Sequence, residues 1–308
     1  MSQLIVLGSV NADHVLQVPS FPRPGETLHG RNYQIIPGGK GANQAVAAAR
    51  LHADIGFIAC VGDDDFGQKI RGAFAQDGIE ISAVHMVDNT PTGIAMIQVS
   101  DCGENSICIA AEANDALTAD IVNQHSNQIA AAKYLLMQLE TPLAGIEQAA
   151  SIAKANATQV ILNPAPARAL PDGLLAMVDI ITPNETEAEV LTGIAITDDA
   201  SAAEAAAILH AKGIATVMIT LGAKGVYLSQ QGSGKMIPGF KVKATDTTAA
   251  GDTFNGAFVT GLLKGQTIDD AVVFAHGAAA ISVTRFGAQT SIPTLAEVEQ
   301  FLAAQSFI

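Results

Sequence analysis

Positive charge is what this chain has least of. Its 308 residues include 16 lysines and arginines against 30 aspartates and glutamates, a formal net charge of −14. A field of that sign repels nucleic acid and anionic membrane, so neither is an expected partner. It also opposes anionic ligands, so a phosphate would have to be held locally, by backbone N–H groups and metal ions. Cysteine is scarce too. Cys60, Cys102 and Cys108 are scattered, odd in number and form no CxxC pair. That excludes a disulfide framework and suits a reducing compartment; each is expected to be a small buried or half-buried side chain. No apolar run reaches the ~18 residues that a membrane span needs. The opening "MSQLIVLGSV" has no basic stretch and no cleavage signal, and reads as a first β-strand. A cytoplasmic location is expected.

Apolar residues are plentiful. They make up 49% of the chain, with only 15% charged, which supports a sizeable core. The length suits one α/β domain over 1–308 with a small appendage. Strand-like runs, "IVLG", "IGFIACVG", "YLLMQL", "TQVILN", "VDIITP" and "TVMITLG", alternate with helical stretches at 43–52, 118–130, 142–156, 201–212, 251–264 and 267–285. That alternation predicts a mostly parallel sheet with helices on both faces. Two segments break it. Prolines and local alternation at about 13–37, and "DCGEN" between two β runs at about 92–114, predict hairpin-type insertions. Together they would build a small lid-like sheet at the edge of the main body.

In such sheets ligands bind beyond the carboxyl ends of the strands. The strand ends here carry Asn11 and Asp13, Glu140, Asn163, Asn184 and Glu187, and then Thr220, Gly222 and Gly225. One polar loop residue is ordinary; this many favour a site. "PGGKGANQAVAAAR" sets glycines before an Ala-rich helix, either to bring backbone N–H groups near a ligand or to make a tight turn with close helix contact. It matches neither a Walker A loop nor GxGxxG.

"TDTTAAGDTFNGAF" has the clearest chemistry. Ala249, Ala250 and Gly251 would fall in the first turn of a helix, where N–H groups lack partners and the helix dipole is positive. Asp252 would sit beside that pocket. It is either a general base whose substrate's transferring phosphoryl group lies on those amides, or a helix-start acid favoured by the dipole.

These stretches together resemble the ribokinase family, the PfkB carbohydrate kinases. The resemblance rests on "GGKGANQAVAAARL", "DTTAAGDTFNGAF", "NPAPAR" and "TPNETEAE", which occur in order along the whole chain. Ala249 stands where glycine is common in the family. The resemblance implies a three-layer α/β/α sandwich with a mostly parallel central sheet, plus a small β-sheet lid through which two copies pair as a homodimer. It implies ATP-dependent phosphorylation of D-ribose at O5, with Asp252 as general base and Ala249, Ala250 and Gly251 as anion hole. It implies sugar contacts from Asn11, Asp13, Gly39, Lys40, Gly41, Asn43 and Glu140. Nucleotide contacts would come from Asn184, Thr220, Leu221, Gly222, Ala223, Lys224, Gly225, Gly251 and His276, although a helix histidine such as His276 can equally pack in a core. Asn184 and Glu187 match an NxxE motif tied to Mg²⁺ and phosphate. A monovalent cation, K⁺ for preference, is implied at Asp246, Thr248, Ser282, Arg285, Gly287 and Ser291, several of them through backbone carbonyls; the alternative for Asp246 is a cap on its own loop.

Four rivals stand against this reading. A nucleoside kinase wants aromatic rings to stack a base, and this chain has no Trp and three Tyr. A phosphofructokinase must neutralise a second phosphate, and the sugar motifs hold one lysine and no arginine. Fructokinase, whose substrate is also an uncharged polyol, stays open. A sugar-binding protein without chemistry would leave Asp252 beside an anion hole unexplained.

Overall fold

The structure, a computed structural model, describes residues 2–102 and 104–305. Thirteen strands are seen among them: β1 (Leu4–Leu7), β2 (Asn11–Val18), β3 (Arg31–Gly38), β4 (Ile55–Gly62), β5 (Val84–Val87), β6 (Gly93–Ser100), β7 (Asn105–Ala110), β8 (Tyr134–Met137), β9 (Gln159–Leu162), β10 (Ile180–Ile181), β11 (Thr216–Thr220), β12 (Gly225–Gln230) and β13 (Ser233–Pro238). Nine form one sheet in the order β13-β12-β11-β10-β9-β8-β1-β4-β5. From β11 to β5 every pairing is parallel, while β12 and β13 add an antiparallel edge.

Strand composition explains the layering. β1 is "LIVL", buried throughout. Successive side chains of a strand point to opposite faces. Leu4 and Val6 therefore join one core, with residues of the Lys40–Arg50, Ala250–Leu263 and Ile268–Ser282 helices. Ile5 and Leu7 join the other, with residues of the Leu143–Ala155 and Asp199–Ala211 helices. Helices thus cover both faces, and the three-layer sandwich is observed.

The two insertions form a separate four-stranded sheet, β3-β2-β6-β7. The turn joining β6 to β7 includes Gly103, which lies outside the described residues. Four α-helices were not anticipated: Asp65–Gln76, Asp172–Leu175, Glu185–Thr192 and Leu295–Gln305. The first carries two glycines, which weaken its pattern, and is started by Asp64, whose carboxylate accepts from Gly67 N at 2.7 Å. The expected 118–130 helix breaks into Ala119–Gln124 and Ser126–Ala131 at His125. Cys60 is buried as expected, but Cys102 and Cys108 are exposed on the small sheet's strands and turn, where no core exists to hide them.

Candidate active site

The loop from β1 into β2 and the first turn of the Lys40–Arg50 helix pack backbone against backbone. Gly39 has φ 91°, and a Cβ there would meet Asn11 N and Ser9 O at 2.8 and 2.9 Å. A Cβ on Gly41 would meet the Gly8 and Ser9 backbone at 2.5 Å. The glycines of this motif therefore make the close helix contact. Glu140, just after β8, ties the junction: its Oε2 accepts from Ser9 Oγ at 2.6 Å and from Lys40 N at 3.0 Å. Lys40 N is one of the donors that a helix start leaves unpaired.

Asn11 and Asp13 are two apart on β2 and share one face of the small sheet. Asn11 Oδ1 accepts from Asn114 Nδ2 at 2.9 Å, and Asn114 also clamps Val10 through its N–H and carbonyl. Asp13 is buried over Gly38, whose missing side chain makes room for the carboxyl. Burial, reinforced by the negative charges of Glu140 and Asp252 and offset in part by Lys40, pushes the Asp13 carboxyl up to about 7. At Lys40 burial works against the charge, but Asp252, Glu140, Glu187 and Asp13 outweigh it and hold the ammonium above its usual range.

Asp252 is buried in the first turn of the Ala250–Leu263 helix. Its Oδ2 accepts from Asn43 Nδ2 at 3.0 Å and its Oδ1 from Gln44 Nε2 at 2.9 Å. Burial raises its carboxyl; Lys40 and the two amides pull the other way. Asn43 Oδ1 is buried and has no partner among the described residues. The expected amide cradle needs one correction. Ala250 N is drawn to Thr247 O at 3.2 Å, a turn bond made as the chain enters the helix. The N–H groups of Ala249, Gly251 and Asp252 meet no acceptor among the described residues. Ala249 itself is left-handed, φ 58° and ψ 14°, which turns the loop into the helix axis.

Next to this turn lies a cavity of about 260 Å³. Thr220, Gly222, Ala223, Gly225, Gly251 and His276 line it, with Phe240, Val242 and Phe254 supplying apolar wall. Leu221 and Lys224, expected there, are not among its lining. Leu221 turns into the second core, and the Lys224 ammonium is exposed 4.0 Å from Glu185. Gly222–Lys224 is a single 3₁₀ turn, which with three residues per turn points successive residues in different directions, so only part of that loop faces the cavity. His276 Nε2 is buried without a partner among the described residues, and burial pushes the imidazole down to about 4, so it is neutral. Its ring meets Phe254 edge-on at 5.3 Å.

Asn184 and Glu187 form a capping box: Glu187 N donates to Asn184 Oδ1 at 2.8 Å, and Asn184 N donates to Glu187 Oε2 at 2.9 Å. Asn184 also bridges Thr220 of β11, placing the box at the cavity's end of the sheet. Burial raises the Glu187 carboxyl.

Asp246 stitches two loops. Its Oδ1 accepts from Thr248 N at 2.9 Å and Thr248 Oγ1 at 2.7 Å, and its Oδ2 from Gly287 N at 2.9 Å. Burial opposes its charge, but these bonds hold the carboxyl below its usual range. The side chains of Ser282 and Ser291 bond nearby carbonyls, Ala279 O and Ala288 O, and Arg285 reaches Glu297 at 2.6 Å. The Ser282 and Ser291 hydroxyls donate there but keep their oxygen lone pairs, while the Arg285 guanidinium has none to offer a cation. No cluster of three or more His, Cys, Asp or Glu suited to a metal occurs among the described residues.

Three residues central to this geometry were not singled out from the sequence: Ser9, Gln44 and Asn114. A buried amide at the third position after a glycine motif, as in "GGKGANQ", was the available signal for Gln44.

A buried carboxylate at a helix start, beside free amides and between a polar sheet-end cluster and an apolar cavity, defines a phosphotransferase-type cleft. The chain belongs to the pfkB family of carbohydrate kinases, whose family model matches residues 1–295. It is 58% identical over 299 residues to a ribokinase of Haemophilus influenzae, covering 97% of this chain and 98% of that one. It is 44% identical over 301 residues to a ribokinase of Staphylococcus aureus, covering 97% and 99%. The structure of an Arabidopsis thaliana ribokinase complexed with ribose and ATP superposes with a TM-score of 0.92 at 33% identity, covering 98% of each chain.

Proposed function

We propose that this chain phosphorylates D-ribose at O5, taking the phosphoryl group from ATP and releasing ADP. The observation that carries the reading is Asp252, a buried carboxylate on a helix start whose Gly251 N–H is unpaired and which Asn43 orients from the opposite motif. Ribokinases are among the relatives that match it over nearly full length, at 58% and 44% identity.

The sugar belongs on the side of Asp13, Glu140 and Asn43. Carboxylates only accept hydrogen bonds when ionised, and a ribose ring offers several hydroxyls in a fixed pattern. Asn43 Oδ1 is an acceptor with a vacant partner position there. Asn11 and Lys40 supply donors. The nucleotide belongs in the cavity, with its base against the apolar wall and neutral His276. Its terminal phosphate then reaches the amides of the Asp252 turn. Asp252 takes the O5 proton as O5 attacks the γ-phosphorus, the bond to the β-phosphate oxygen breaks, and the N–H groups of Ala249 and Gly251 meet the charge on the transferring group. Ala250 joins them if its turn bond to Thr247 opens.

Two ions fit the chain. Glu187, anchored by its capping box near Lys40 and Asp252, offers a carboxyl that would help hold Mg²⁺. The three groups that hold Asp246 are neutral, so its charge leaves room for K⁺ beside loop carbonyls. When bound, Mg²⁺ neutralises phosphate charge.

The small sheet supports a homodimer. His14, Ile35, Met96 and Cys108 lie in one cross-strand row, on the face opposite Asp13. Ile35 is 50% and Met96 52% exposed, and Tyr33, two residues before Ile35 on β3, is 56% exposed. Apolar side chains in such a row favour a second copy's sheet over water.

The test is ADP release, coupled to a spectrophotometric readout, with ribose, fructose, a nucleoside, a sugar phosphate or no acceptor. Ribose should give the highest kcat/KM. A higher value with fructose, or ADP release that ignores every sugar, would overturn the reading.

A further inference from the structure

The residue that holds the acid of this site in place sits one position beyond the recognised motif residues. Gln44 is fully buried. Its Nε2 donates to Asp252 Oδ1 at 2.9 Å and to Asn163 Oδ1 at 3.0 Å, and its Oε1 accepts from Gln138 Nε2 at 2.6 Å. An amide has a donor end and an acceptor end, and which way it faces must follow from its partners. Here both sides agree. Gln138 presents a donor to Gln44 Oε1. Asn163 is itself oriented, because its Nδ2 donates to Thr182 O at 3.2 Å, which leaves its Oδ1 facing Gln44. Turning Gln44 over would set its oxygen against the Asp252 carboxylate and the Asn163 oxygen at once.

The network then closes on the helix start. Thr182 Oγ1 donates to Asn255 Oδ1 at 2.7 Å, and Asn255 Nδ2 donates to Gly251 O at 2.8 Å. A ring of buried polar groups therefore runs from the Asp252 carboxylate through the ends of β9 and β10 and back to the peptide beside it. We propose that Gln44 is a positioning residue for phosphoryl transfer, holding the Asp252 carboxylate toward the acceptor hydroxyl, and that Gln138 fixes the sense of the Gln44 amide. This rests on the assignment of Asp252 as general base.

The physical argument concerns which lone pairs stay free. Asn43 occupies one on Oδ2 and Gln44 one on Oδ1, so the carboxylate cannot rotate about its bond without losing a hydrogen bond to an ionised group. Such bonds are stronger than neutral ones. Neither amide can be a proton source at neutral pH, so they stabilise the ionised base without competing for its role. Charged groups around Asp252 are Lys40 from the glycine-motif helix, Glu140 from beyond β8, Asp13 from β2 and Glu187 from its capping box. None is Gln44's own, so its removal leaves the charge pattern intact and deletes one donor.

The test uses Gln44→Leu, Gln44→Glu and Gln138→Leu, with Asp252→Asn in parallel. Melting temperature and circular dichroism report folding; kcat at saturating ribose is measured from pH 5 to 9. Gln44→Leu should lower kcat roughly 10–100-fold, the loss expected for a hydrogen bond to a charged group. Ribose KM should change far less, because Asn43 and Asp13 are untouched. The acid limb of kcat should move to higher pH, since the ionised base loses a donor. Gln44→Glu keeps the shape but sets an acid against Asp252, and should move the limb further. Gln138→Leu, which does not touch Asp252, should give the same signs with smaller size. Should Gln44→Leu fail to fold, Gln138→Leu and Gln44→Glu decide. Folded variants with wild-type kcat and an unmoved acid limb, beside an inactive Asp252→Asn, overturn the positioning role alone. An active Asp252→Asn overturns the base assignment and this inference with it.

Discussion

Asn43 Nδ2 donates to Asp252 Oδ2 at 3.0 Å, across 209 residues of sequence. The two family motifs meet through this bond: one supplies the proposed base, the other orients its carboxylate. Asp252→Asn keeps the shape and removes the basicity. A general base is typically worth ~10²–10⁴-fold in rate, so kcat should fall in that range. Equilibrium binding of ribose and ATP should change little. Near-normal kcat would remove the base role.

Asp13 predicts a pH dependence for the site. Burial, with Glu140 and Asp252 beside it, pushes its carboxyl up to about 7. On the proposed sugar placement, ribose hydroxyls donate to the ionised form, so binding below that pH must first release a proton. Ribose KM should fall as pH rises toward about 7 and flatten above it. Asp13→Asn should raise KM and abolish the slope. An unchanged slope in that variant would place the titrating group elsewhere.

Ala249 is one residue whose backbone carries strain. An L-residue in the left-handed region costs about 1–2 kcal/mol, and Ala249 sits there with φ 58°. Glycine relieves the strain but adds chain entropy of similar size to the unfolded state. Ala249→Gly should therefore leave melting temperature within about 3 °C and keep activity. Ala249→Val, β-branched at the same φ, should lower both melting temperature and kcat, because the loop must rotate its N–H groups away. A fully stable and active valine variant would show that the turn is not under this constraint.

At Asp246 the loop cap and the cation proposal differ in salt response. All three of its hydrogen-bond donors are neutral. Activity should rise when K⁺ replaces Na⁺ at constant ionic strength with Mg²⁺ saturating. Asp246→Ala should abolish that rise and lower the basal rate through loss of the Gly287 tie. Equal rates in K⁺, Na⁺ and a bulky organic cation would leave Asp246 as a cap alone.

The exposed row on the small sheet predicts its own test. Met96→Lys puts a charge in the centre of the row, and the dimer should dissociate by sedimentation at concentrations where the parent stays paired. A monomeric parent protein would remove the dimer from the proposal.

Much of the layout was legible in the sequence. Buried strands such as "IGFIACVG" and Ala-rich helices such as 201–212 follow from local composition, which sets secondary structure over a few residues. The insertions were legible because proline and turn residues interrupt that alternation. The Asp65–Gln76 helix was not, because Gly67 and Gly72 blur its apolar face until Ile70 and Phe74 pack. In the site, Leu221 and Lys224 belong to a loop whose neighbours line the cavity, yet they point elsewhere. Loop position sets proximity, and only the turn geometry sets direction.

What the sequence determined by itself is where polar groups interrupt apolar strands and helices: Asn11 and Asp13 after β1, Glu140 after β8, and Asp252 at a helix start behind small residues. These are local facts, written in propensity and patterning over a few neighbours. What the tertiary structure decided is which of them touch. Gln44 meets Gln138, Asn163 and Asp252, from 94 to 208 residues away in sequence. A buried amide must satisfy a donor and an acceptor wherever the packed sheet and helices bring partners, and that choice exists only once the layers are assembled.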